Sequence, residues 1–394
     1  MFIRRFACTV ASISLFVMLF SGCMSIKPQA VDAETFFKNQ ELTNPSSLYG
    51  RAYDGRFARF FQTTFDDIEA LMLIDLADDP VYKAIEVQKF LLAGTETWAV
   101  ITERKDGRID YYYENPDLMD EKRQASVSTL LSQPYFHRTT LHAWMEVVER
   151  GLDVRASFID WENRLIELAV TENRNDSKPT AMLAPVSVHA ENPTSFPMVF
   201  LDDFNMVAKK GTRLEVWIDK QKRQAVSFPI IVEGRQVYYS RYASDVVVAD
   251  ILSAGKRVVQ SEPLAENTPS ITGGNATYHL AWESGYPEIK QVQFTHDDSS
   301  VTLDFAPALP DVRHLKADQT VEGRFILSVN SVHGVIGGSY AVASTDGRLH
   351  LMLHPLTSWQ PPFMGKKWVS TFHHTADFEH HGTDLLVDAR WQRL

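Results

Sequence analysis

Four histidines near the C-terminus, His373, His374, His380 and His381, share the run 373–381 with Asp377 and Glu379. Imidazole and carboxylate are the ligands a zinc or iron site uses where thiols are absent. The spacing is not that of a helical H-E-x-x-H motif. Read as a strand over 368–380, the run puts His374 and His380 on one face and His373 on the other. Gly382-Thr383 then fits a two-residue type II′ turn. The return strand places Leu385, Val387, Ala389 and Trp391 opposite His380, Phe378, Ala376 and His374, so the apolar faces match. Six residues of strand separate His374 from His380 by about 20 Å, too far to share a metal. The expectation is solvated or aromatic-stacked histidines and no cofactor. Were a metal held here, His373, His374 and His380 would be its candidates.

Two other stretches carry chemistry. Tyr238, Tyr239, Arg241 and Tyr242, with Asp245 beyond them, put a guanidinium among phenols. That set can clamp a carboxylate, a phosphate or a sugar. The plainer reading is a strand end with a snorkelling arginine. Trp359 and Phe363, in W-Q-P-P-F-M-G, belong to an aromatic, proline-rich loop that could line a ligand mouth or pack as a rigid crossover. His333-Gly334 and Gly337-Gly338 mark a strand with a bulge or a close backbone approach. Nucleophilic catalysis has little support: there is no G-x-S-x-G motif and no S-x-x-K in a fitting context. The many Asp and Glu residues leave a carboxylate pair for glycoside hydrolysis open.

The elements that must position these residues are mostly strands. The helix-prone region is 31–80. There Ile68, Leu71, Met72 and Leu76 fall at i, i+3, i+4 and i+8, which predicts an amphipathic helix over 66–77. Short helices are also predicted at 120–131 and 141–150. From residue 81 the dominant period is two. Trp98, Val100 and Thr102 alternate outbound, and Ile109, Tyr111 and Tyr113 alternate on the return, about an Asp106-Gly107 turn. That register sets Val100 against Tyr113 and Glu103 against Asp110, a like-charge conflict that a longer loop would relieve. Further strands at 154–160 and 164–171 are joined at Trp161-Glu162-Asn163, and those at 213–219, 224–232 and 236–241, linked by charged turns, read as an antiparallel meander.

Residues 261–275 are rich in Pro, Ser, Thr, Gly and Asn and read as a linker. Ten of the 13 histidines lie beyond them. The expected organisation is a signal segment at 1–23, a tether at 24–33, an α+β, mostly antiparallel region at 34–260, the linker, and an all-β region at 276–394. The fold class is mainly β: two antiparallel β-sandwich or lipocalin-like barrel domains with a few helices near the N-terminus.

The first 23 residues say where the chain goes. Arg4 and Arg5 precede an apolar run from Phe6 to Phe20, too short to span a bilayer comfortably. Phe20, Ser21, Gly22 and Cys23 follow, and this segment resembles the signal and lipobox of bacterial lipoproteins. The resemblance covers residues 1–23 alone. It implies a diacylated Cys23 as the new N-terminus, a bilayer as partner and a stable anchor of two or more chains. Met24 stands where aspartate would signal inner-membrane retention, which implies the outer membrane where the host has one. The other cysteine, Cys8, lies in the apolar run, so the body has no thiol and no disulfide. A net charge of −11 without a basic run argues against nucleic acid. These features favour a non-enzymatic envelope lipoprotein that binds a hydrophobic or amphipathic ligand in a barrel or sandwich cavity. The alternatives are an envelope hydrolase or lyase acting on lipid or glycan, and a structural partner in an envelope complex.

Overall fold

The computed structural model describes residues 33–38, 44–119, 124, 127, 134–148, 151–173, 180–183, 196–251, 254–282, 284–297, 299–329, 334–345, 348–357 and 372–393. Cys23, Trp359 and Phe363 lie outside them. The protein is mainly β, with 71% strand against 4% helix, and it has several sheets of which, among the described residues, none closes into a barrel. Among the described residues no helix is long and apolar enough to cross a membrane.

The nine-stranded sheet runs, in spatial order, through Thr180–Leu183, Phe196–Ala208, Arg235–Ile251, Thr63–Asp75, Tyr82–Leu92, Thr95–Arg104, Ile109–Tyr113 and Tyr135–Arg138, with Ser227–Val232 paired to one half of Arg235–Ile251. Its last pairing is parallel. A five-stranded antiparallel sheet holds Gln221–Arg223, Thr212–Ile218, Leu165–Glu172, Gly151–Ile159 and Leu141–Val148. A ten-stranded meander begins at Gly255–Val259, takes Asp384–Arg393 next to it, and steps back along the chain to Ser270–Gly273.

Two predicted helices are strands, and the reasons differ. Thr63–Asp75 lies inside the nine-stranded sheet, and its second half, Ala70 to Ile74, is buried on both faces. Ile68, Leu71 and Leu73 join one core cluster; Ala70, Met72 and Ile74 join another. A continuous apolar run mimics a helical stripe, and only its neighbours decide the outcome. Leu141–Val148 has plain period two: Leu141 and Met145 face a core while His142, Trp144 and Glu146 face outward. Among the described residues helix is confined to the five residues Ala33–Phe37, residues 124 and 127, and two 3-10 turns at Ser46–Leu48 and Pro116–Met119.

One apolar cluster lies between the nine- and five-stranded sheets, with Met72, Val87 and Val100 meeting Val154, Leu168 and Val216. A second covers the other face of the larger sheet, where Leu71, Phe90, Ile101 and Phe204 meet Leu118, Val127 and Phe228. All ten strands of the meander contribute to a third, so that sheet wraps around its own core. Phe57, Phe60 and Phe61 fill the middle of this cluster. The ends of three long strands reach it too, through Phe65, Phe200 and Ile251. Ser261–Pro263, within the linker-like stretch, pairs with Arg56–Ala58.

Within the meander, two glycines lie under aromatic rings of the facing strand. Gly323 pairs with Tyr340, and Gly338 with Phe325. The register shifts between Gly337 and Gly338 on the other side, as the glycine pair suggested. A methyl group at Gly338 would meet the Phe325 ring and sit 2.6 Å from the His354 carbonyl oxygen. We expect Gly338→Ala to cost about 2–3 kcal/mol through overpacking against atoms that cannot retreat. Urea unfolding of both proteins measures this, and equal midpoints would refute it.

Candidate functional site

The pleat of Arg235–Ile251 divides the tyrosine–arginine group. Tyr238 and Tyr242 turn toward the cluster between the two sheets, and Tyr239 turns to the opposite face. Arg241 is engaged internally: its guanidinium lies 3.0 Å from Asp75 and 4.3 Å from the Tyr239 ring centroid. The Tyr242 hydroxyl donates to Glu172 at 3.0 Å. These residues brace the fold and do not converge on an opening.

The hairpin of Phe372–His381 and Asp384–Arg393 has the register read from its apolar pattern, with His374 opposite Trp391 and His380 opposite Leu385. Gly382 turns at φ 66. The three histidines are therefore apart. His374 is completely buried with its ring centroid 5.0 Å from that of Trp391. Neither of its ring nitrogens has a hydrogen-bond partner among the described residues. Burial, with help from Arg257 and His373, pulls its pKa down to about 3. His380 is exposed at the turn, and His373 is half-buried. The tight imidazole–carboxylate trio among the described residues is a different one, Asp67, His296 and Asp297. There His296 Nε2 is 2.7 Å from Asp67 and its ring stacks on Phe65 at 4.5 Å.

The side chains that meet at an opening are on the outer face of the five-stranded sheet. Its inward positions are apolar, including Leu152, Val154, Ile166, Leu168, Val216 and Ile218. Strict alternation then sends the residues between them outward. Pairing aligns them in two rows across the strands. His142, Ser157, Glu167 and Trp217 form one row; Trp144, Arg155, Ala169 and Glu215 form the next. The small Ser157 and Ala169 make a floor and the two indoles make walls, leaving an open groove of about 490 Å³. Trp144 is 49% exposed, much for the largest apolar side chain. Arg213 and Lys222 hydrogen-bond to Glu215 and hold its carboxyl below the usual range. Lys222 Nζ also lies 5.6 Å from the Trp217 ring. Glu167 and His142 make no hydrogen bond among the described residues.

Two buried polar networks resemble acid–base machinery but serve as clamps. Asp110 is completely buried and accepts from Arg104 Nε at 2.6 Å, from a second Arg104 nitrogen, and from Thr102 at 3.3 Å. His137 Nε2 lies 2.8 Å from the same carboxylate. Trp161 covers the Arg104 guanidinium at 3.9 Å. In the second network His314 Nδ1 faces Asp311, and its Nε2 lies 3.5 Å from Asp54. Glu288 accepts from Tyr49 at 2.6 Å and Ser284 at 2.7 Å, while burial pushes its carboxyl up. The His314 side chain is 4% exposed, with a carboxylate near each nitrogen. Its loop is laced to the N-terminal segment by Gly50 N–H to the His314 carbonyl and Lys316 N–H to that of Leu48.

The structure thus defines a class, a mainly β protein built on several largely antiparallel sheets with a polar–aromatic groove on one of them. Compared with protein-family models, with curated proteins and with solved structures, the chain matches none.

Proposed function

We propose that this is a lipid-anchored protein of the bacterial envelope that binds an amphipathic ligand without transforming it, on the outer face of the five-stranded sheet. The nine- and five-stranded sheets are read as the layers of a β-sandwich whose interior is occupied by side chains. That moves the expected ligand from a cavity to the open face. The observation that carries the reading is the groove itself: two partly exposed indoles flank a small-residue floor, with the polar Glu167 and His142 making no hydrogen bond among the described residues. Such a surface offers apolar area and directional partners together, which is what an amphipathic ligand requires. Cys23 supplies the anchor, by its resemblance to a lipobox.

The full chain, captured gently from envelopes of its host and weighed by native mass spectrometry, should carry a small molecule. Trp144→Ala should lower its retention about tenfold, since loss of stacking and buried area is worth about 1.4 kcal/mol or more. Clean masses for both proteins, or equal loading of both, would end this reading.

A further inference from the structure

The chemistry of the groove narrows the class of ligand, on the reading that this face is where the ligand binds. Trp144 and Trp217 lie three strands apart and one pleat repeat out of line. At ordinary strand spacing and rise their Cα atoms are about 16 Å apart, the length of about three linked pyranose rings. Ser157, Arg155 and Glu167 lie on the strands between them, and His142 is two residues from Trp144 on its own strand; all four side chains donate to or accept from hydroxyl groups. An acyl chain would lie poorly here, because it would desolvate those groups without pairing them. Charge selects further. The Glu215 carboxylate is already answered by Arg213 and Lys222. Arg155 in turn lies 3.5 Å from Asp153, so with Glu167 the three carboxylates here are balanced by three cations, and the floor attracts neither an anionic headgroup nor a cationic peptide.

We infer that the occupant is an uncharged saccharide chain laid diagonally across four strands, stacked on Trp144 at one end and Trp217 at the other. The C–H faces of its rings lie on the indoles, and its hydroxyls bond Glu167, Ser157 and His142. The recess is open, so a chain longer than the groove passes through it and a polymer is as good a ligand as a short oligomer.

The test uses the full chain kept soluble in amphipol and titrated calorimetrically. The probes are hexaoses of β-1,4-linked N-acetylglucosamine, β-1,4-linked glucose and α-1,4-linked glucose. At least one should bind, with affinity rising about tenfold or more from its dimer to its tetramer and levelling beyond. Affinity should change less than about twofold between about 50 and about 500 mM sodium chloride, because no net charge is matched. Trp144→Ala and Trp217→Ala should each weaken it about tenfold or more with an unchanged circular dichroism spectrum, while Leu91→Ala, on another surface, should not. No binding of any hexaose at millimolar concentration overturns the inference, and so does binding indifferent to both tryptophans. Monomeric lysophosphatidylcholine bound through Trp144, with every hexaose silent, overturns the saccharide and leaves the amphipathic-ligand reading standing. Silence from both probes removes both.

Discussion

Alanine in place of Asp110 will destabilise the protein by about 3–5 kcal/mol. The carboxylate is completely buried and is the common acceptor for two Arg104 nitrogens, Thr102 and the facing His137 nitrogen. Removing it leaves a guanidinium under Trp161 and Tyr135 with its charge unanswered and little water to answer it. The cost is mostly that orphaned charge and not the worth of the pair. The double variant Arg104→Met with Asp110→Leu should therefore recover most of the loss. Urea unfolding followed by tryptophan fluorescence reports on it, since Trp161 lies on the guanidinium. A loss below about 1 kcal/mol for the single variant, or no recovery in the double, would refute the account. The exposed pair Arg108–Asp106 is the contrast, with an expected effect within about 0.5 kcal/mol.

The second large effect is acid sensitivity centred on His374. In the folded chain its pKa is lowered to about 3, and in the unfolded chain it is near the ordinary 6.5. Above pH 6.5 the imidazole is neutral in both states and contributes no pH dependence. Below it the unfolded chain takes up a proton that the folded chain refuses, so stability falls as pH drops toward 3. At pH 4.5 the penalty is about 2–3 kcal/mol. His374→Leu should match or exceed the parent at pH 7.5, because a buried imidazole whose nitrogens have no hydrogen-bond partner among the described residues is replaced by an apolar side chain. At pH 4.5 it should be clearly more stable. Thermal midpoints at the two pH values decide the matter, and parallel profiles would refute the assignment.

The sequence was legible where one face of a hairpin is apolar and the other is not. The pattern Leu385, Val387, Ala389, Trp391 against His380, Phe378, Ala376, His374 admits one register, and the structure has it. The Asp106-Gly107 hairpin shows the limit. Its loop is one residue longer than the turn pair alone implies, so Val100 pairs with Tyr112 and Thr102 with Asp110. The slip relieves the Glu103–Asp110 conflict and delivers Asp110 to Arg104, a partner that no local pattern displays. Thr63–Asp75 was illegible because both faces of its second half are buried, and which two cores it serves depends on strands far along the chain. The groove was hidden for a related reason. Its walls, Trp144 and Trp217, become neighbours only through three strand pairings, and reading 141–150 as a helix removed the alternation that aims Trp144 outward.

The phenylalanines that fill the wrapped meander have a consequence in time. The hydroxyl of Tyr278 donates to the Phe61 carbonyl across 217 positions, and Phe60 packs edge-on against Phe378. Phe57, Phe60 and Phe61 are synthesised well before the strands that shelter them, Phe372–His381 among these. Closing so long a loop is slow, and until it closes the aromatic segment has no home. A nascent chain thus carries this aromatic stretch uncovered until those strands have been made.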